Sequence, residues 1–293
     1  MKPRRPTRLV VFLVTTFAIS WSCWWTLAAL ASSGAASLVL PGSIPTLTAD
    51  QRLFVRLFII GGWGPTIAAY LAILATPGEG RVREFHSRLF KWRVGVRWYL
   101  AALGVPVALG VSVVLVVQAI RPSVLGGLAI LPWYRAFLWF PIMIVGGGNE
   151  ELGWRGIAQH ALEQRASRVI AAQVVGLIWG VWHLPLWSVP GAPQSETSFS
   201  IFLVDIVRMS LILAWLYGST QSILMCVFFH AAVNAMSQLG FPEPHELGGV
   251  LGAAIALLEL IAGLGLVLAT KSGEPCRSPK HLRVHRRDIL PGL

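Results

Sequence analysis

Charge is scarce in this chain. Only 13% of its 293 residues are charged, while 55% fall in the hydrophobic set, and mean hydropathy is +0.66. Soluble domains carry about 25% charged residues, so a soluble enzyme or binding module is excluded and a polytopic membrane protein remains. Cysteine is scarce too. Cys23, Cys226 and Cys276 are odd in number, widely spaced and without a Cys-x-x-Cys pair, which argues against a disulfide framework and a zinc knuckle. Nothing beside Cys226 marks it as an activated nucleophile. Gly-x-Ser-x-Gly, His-Glu-x-x-His and a phosphate-binding glycine loop are all absent, leaving serine elbows, helix-borne zinc proteases and P-loop enzymes without a foothold.

What is present is apolar and segmental. Transmembrane helices need about 20 apolar residues, and eight stretches qualify, near 9–31, 53–76, 98–119, 130–148, 169–189, 199–217, 220–239 and 248–270. The expected fold is all-α, with about eight membrane helices around a polar intramembrane cavity. A basic tail (1–8) precedes one membrane domain (9–270), and a basic tail (271–293) follows it. The first run resembles a signal peptide in its basic start, but it exceeds twenty residues and contains Trp21, Trp24 and Trp25. A signal core spans roughly 7–15 residues, so this run is expected to stay as the first helix.

The net charge of +11 suggests nucleic acid only until its location is read. The loop at 77–97 and the C-terminal tail each carry six Lys or Arg, the N-terminal tail four and the loop at 149–168 three, against Arg52 and Arg121 in the alternate loops. That alternation predicts an even helix count with both termini cytoplasmic, a plasma-membrane protein if bacterial, facing lipid and not nucleic acid. Arginines mixed with Phe85, Phe90, Trp92 and Trp98 over 81–98 suggest a segment anchored at the headgroups. Gly61-Gly62-Trp63-Gly64-Pro65 should break the second span. Asp205 and Arg208, three apart, should pair; Glu259 has no partner evident from spacing.

The stretch Gly146–Gly156 places Glu150, Glu151 and Arg155 directly after an apolar run. Ionisable groups near membrane depth are costly and by default mark a functional site. On a helix, residues four apart share a face and residues five apart do not. Arg155 should therefore clasp Glu151 and leave Glu150 free to act on something else, a carboxylate suited to general-base work in an apolar cavity. Trp179 stands four before His183, where its ring can pack on the imidazole, and Pro185 should end that helix. His230 and Asn234, again four apart among small alanines, can together donate to a developing oxyanion.

Glu150-Glu151-x-x-x-Arg155, Trp179-x-x-x-His183 and His230-x-x-x-Asn234, in this order on successive hydrophobic helices, resemble the CPBP family of intramembrane endopeptidases. That family includes type II CAAX prenyl proteases and bacterial proteins tied to bacteriocin processing and immunity. The core motifs cover 149–234, and Gly64-Pro65 and Arg97-Trp98-Tyr99 extend the resemblance back to about residue 60. Trp179 stands where the family pattern is usually written with Phe.

The resemblance implies that Glu150 activates the attacking water, with His183 helping to position or share its proton. His230 and Asn234 would form the oxyanion site, and Glu151 with Arg155 would hold the architecture. The family has also been described as metalloproteases, with the glutamate and the two histidines as ligands. Glu150, His183 and His230 make a chemically legitimate zinc set, so a divalent metal stays open, although none is favoured. The implied substrate is a membrane-associated peptide or protein. Two alternatives remain: a non-catalytic immunity or scaffold protein of the same family, and a small transporter.

Overall fold

The computed structural model describes residues 8–32, 48–76, 78–125, 131–240, 247 and 249–269. Residues 1–7 of the N-terminal tail and the whole C-terminal tail, with Cys276, lie outside the described residues. Those that are described form helices and turns without a strand, because each apolar run buries its backbone polar groups by bonding within itself, as lipid requires. The helices are α1 (Arg8–Ser32), α2 (Ala49–Gly62), α3 (Gly64–Ala75), α4 (Arg81–Leu89), α5 (Val96–Ile120) and α6 (Tyr134–Gly146). After a short composite segment follow α7 (Arg168–Trp182), α8 (Phe199–Thr220), α9 (Ile223–Ser237) and α10 (Gly249–Ala269).

Every one of the eight apolar stretches contains helix, but they differ in reach. Five helices are long and apolar enough to cross a membrane, and α2 with α3, bent by 49°, makes a sixth span if the pair is taken as one. By contrast, α6 has 13 residues and α9 has 15, short of the roughly 20 a full crossing needs. The chain is thus an all-α polytopic membrane protein with five to six such spans among the described residues.

Helix α8 is the central post. It packs between α7 and α10, and 61% of its apolar window is buried, against 22% for α1 and for α5. The outer helices turn Leu100, Leu115, Phe137, Val250 and Leu268 outward, the apolar exterior that lipid solvates. Helix α1 packs on α2 and α3, while α9 packs on α5 and α6.

The break between α2 and α3 shows how freed backbone groups are satisfied at depth. Ser20 on α1 donates to the Gly61 carbonyl at 2.7 Å, and Trp24 Nε1 donates to the Phe58 carbonyl at 3.3 Å. Residues 81–89 form an amphipathic helix. It buries Phe85, Arg88 and Leu89 and leaves Phe90 and Trp92 exposed just after it.

Candidate active site

The site is built on the composite segment after α6. It runs from a 3-10 turn (Gly148–Glu150) through one α-turn (Glu151–Gly153) into a π-helix (Trp154–Gln159) and a last α-turn (His160–Leu162). π-Helical stretches are rare and concentrate at functional sites. This one keeps the backbone helical, so the four-residue relation of Glu151 to Arg155 survives. Arg155 Nε lies 3.4 Å from Glu151 Oε2, and both side chains are fully buried.

The two glutamates are divided as their spacing suggests. The second oxygen of Glu151 pairs with His230 Nδ1 at 2.9 Å, so this carboxylate is held from its own helix and from α9 at once. Glu150 points elsewhere and accepts from the indole Nε1 of Trp179 at 2.8 Å. It is 7% exposed, so this bond meets much of its need for a donor. Glu151 meets both Arg155 and His230, whereas Glu150 carries no ion pair among the described contacts.

Trp179 departs from the expected role. Its ring centroid is 6.2 Å from that of His183 but 5.3 Å from that of His230, edge-on. Arg155 also lies over the Trp179 ring, with Cζ 5.3 Å from its centre. The ring that packs closely on His183 is Trp182, at 4.6 Å. The four-residue spacing works through the backbone instead: His183 Nδ1 meets the Trp179 carbonyl at 2.9 Å. A carbonyl only accepts, so Nδ1 carries the proton and Nε2 keeps its lone pair in the neutral ring. Trp179 therefore ties Glu150 and His183 together, one through its indole and the other through its main chain.

Pro185 ends α7 as expected, and the chain continues as a 3-10 turn over Leu184–Ser188. Helix α1 closes this side. Trp21 Nε1 donates to the Trp182 carbonyl at 3.0 Å, Trp24 stacks 6.3 Å from His183, and Phe12 meets Trp154 edge-on at 5.4 Å. Thr66 at the start of α3 donates to the Asn149 carbonyl at 2.7 Å and accepts from the Asn149 amide at 3.2 Å. These supports had no signal in the motifs. Only Gly64-Pro65, just before Thr66, hinted that the second span mattered.

Gly147 sets how closely α6 approaches α9. A Cβ added there would overlap the Asn234 amide nitrogen and come within 3.3 Å of His230 Nε2. The absence of a side chain thus brings a bare stretch of backbone against both polar groups. His230 Nε2 and Asn234 Nδ2 converge on one small region directly before Glu150. Asn234 itself is half-buried.

The sequence-derived residues Glu150, Glu151, Arg155, Trp179, His183, His230 and Asn234 therefore gather around one junction of the composite segment, α7 and α9. Among the described residues, no three His, Cys, Asp or Glu side chains are grouped closely enough in this arrangement to hold an ion. Glu150, His183 and His230 are tied respectively to an indole, a carbonyl and a carboxylate.

Residues 132–236 match the family of type II CAAX prenyl endopeptidase Rce1-like proteins. Over that stretch the chain resembles intramembrane proteases of the CAAX type. The matched stretch begins just before α6 and ends in α9, so it encloses Glu150, His183, His230 and Asn234. The chain also resembles CAAX prenyl protease 2 of Methanococcus maripaludis, with 23% identity over 247 residues, 78% of this chain and 83% of the relative. That likeness reaches well beyond the motifs into the helices that brace them.

Proposed function

We propose that this intramembrane protease hydrolyses its peptide bond with water activated by Glu150. The carrying observation is the division of the paired glutamates, Glu151 held by Arg155 and His230 while Glu150 accepts from the Trp179 indole N–H. Glu150 takes a proton from water as the hydroxide oxygen bonds to the carbonyl carbon. The carbonyl π electrons move to oxygen. The resulting oxyanion sits against Asn234 Nδ2 and, when the ring is protonated, His230 Nε2–H, with Nδ1–H retained by Glu151. Collapse of this intermediate breaks the C–N bond, and the proton held by Glu150 passes to the leaving amine. His183, its Nδ1 fixed by the Trp179 carbonyl, offers Nε2 as an acceptor that orients the water.

This sequence of steps needs no metal. Activity is expected to survive chelation, checked by cleavage after dialysis against EDTA with metal content measured in parallel. The charge alternation supports cytoplasmic termini and places Glu150 towards the cytoplasmic side, so the substrate is a membrane-associated peptide cut near that boundary. The relative's name points to a lipidated C-terminal peptide as the first substrate to try.

The test is incubation of purified wild type, Glu150→Gln and His230→Ala with a membrane proteome and with a prenylated peptide, products read by mass spectrometry. Cleavage by wild type alone supports the assignment. Unchanged cleavage by Glu150→Gln would falsify the base. If both variants also keep the full cellular phenotype, a non-catalytic scaffold role replaces it.

A further inference from the structure

A second polar region lies away from the glutamates, at the membrane face where α1 begins. Arg8, the first residue of α1, donates from Nε to Thr76 Oγ1 at 3.3 Å, which brings the start of α1 to the end of α3. Between the start of α1, α4 and the composite segment with the turn after it opens a cavity of about 410 Å³. Its wall includes Arg8, Arg81, Glu84, His160, Gln164 and Arg165. Cavities of this size are typical of small-molecule sites.

Its charge is unbalanced. Three arginines face one carboxylate, and Glu84 is already shared, 3.9 Å from Arg88 Nη2 and 3.9 Å from His160 Nε2. His160 feels the surplus: burial first and then the Arg88 charge, with Arg8 adding to it, hold its pKa down to about 4. The cations are also well placed to meet a surface. The segment that supplies Arg81 continues into exposed Phe90, Trp92 and Val96, with Arg93 over Trp92 at 5.0 Å and Arg97 over Trp98 at 5.1 Å. Aromatic residues interleaved with arginine mark the headgroup level of a bilayer.

We propose that this cavity binds a phosphate group, presented by an anionic lipid headgroup or as the free ion. Arg81 on α4 and Arg165 beyond the composite segment supply charge-assisted donors, Gln164 adds an amide, and Arg8 adds a third cation. Glu84 opposes the anion and keeps its affinity moderate. The ligand joins α1, α4 and the composite segment from outside. Occupancy would therefore brace the segment that carries Glu150 without touching the reacting atoms.

The experiment uses the full chain in nanodiscs of phosphatidylcholine, with or without phosphatidylglycerol, and in detergent with inorganic phosphate. Native mass spectrometry reads bound lipid, and NMR of the histidine side chains reads the His160 titration. Wild type should retain phosphatidylglycerol, and the His160 midpoint should rise when the anion binds. Arg81→Gln combined with Arg165→Gln should weaken retention by roughly tenfold or more, the loss of two hydrogen bonds to a charged group. Glu84→Gln should act in the opposite direction and tighten it, which keeps the test decisive if the double variant folds poorly. A response to inorganic phosphate but not to phosphatidylglycerol would support the same site with the free ion as ligand. Equal lipid retention in wild type and all variants, with no movement of His160 in either anion, would overturn the proposal.

Discussion

Among the described residues, two buried charge clusters are each built around one arginine. In the first, Arg155 pairs with Glu151. In the second, Arg208 pairs with Asp205, three residues before it on α8, and with Glu259 on α10, the latter at 3.1 Å. Both acids of the second cluster engage the same guanidinium, which clamps α10 to the central helix. The first cluster differs by what is left over. Glu150 stands beside it outside the ion pair, near a histidine and an asparagine that converge on bare backbone. A buried ion pair by itself is thus a lock between helices. The unpaired carboxylate next to it is the feature that points to chemistry.

The sharpest way to separate the two clusters is to remove a charge from each. Glu150→Gln keeps the shape and should lower kcat by about 10²–10⁴-fold, the range for loss of a general base. Unfolding in micelles should hardly change. Arg208→Leu should do the reverse. It leaves Asp205 and Glu259 without their shared cation and should cost about 3–5 kcal/mol of stability, measured by denaturant unfolding. Should Arg208→Leu abolish cleavage in a protein that unfolds like wild type, the contrast between lock and site collapses.

Smaller substitutions sharpen the comparison. Trp179→Phe keeps the ring near His230 and Arg155 but deletes the N–H that meets Glu150. It should reduce kcat roughly tenfold with KM little moved, as expected for one hydrogen bond to a charged group. A change confined to KM would instead make Trp179 part of the substrate wall. Glu259→Gln is expected to do least: Arg208 keeps Asp205, and cleavage should stay at the wild-type level.

Much of the site was legible because its spacings are helical. Glu151 and Arg155 meet as four-residue neighbours, and the same period brings the His183 ring to the Trp179 backbone. Pro185 ends α7 where its missing N–H and its ring require. What spacing could not reveal is which atom of a residue does the work. Trp179 was expected to serve His183 with its ring, yet its indole reaches 29 residues back to Glu150. The partner of Glu259 was likewise hidden, because it lies 51 residues earlier, on another helix.

By itself the sequence determined the all-helical membrane class, the stretches from which helices form, and the division of Glu150 from Glu151. Each follows from composition or a local period, which the chain carries wherever it goes. Tertiary structure alone decided that Trp179 donates to Glu150, that His230 leans on Glu151, and that Gly147 lets α9 close on the site. It also decided how far the helices reach, leaving α6 and α9 shorter than a full span. These depend on how helices remote in sequence pack, and packing is settled by the shapes of many side chains together rather than by the spacing within any one of them.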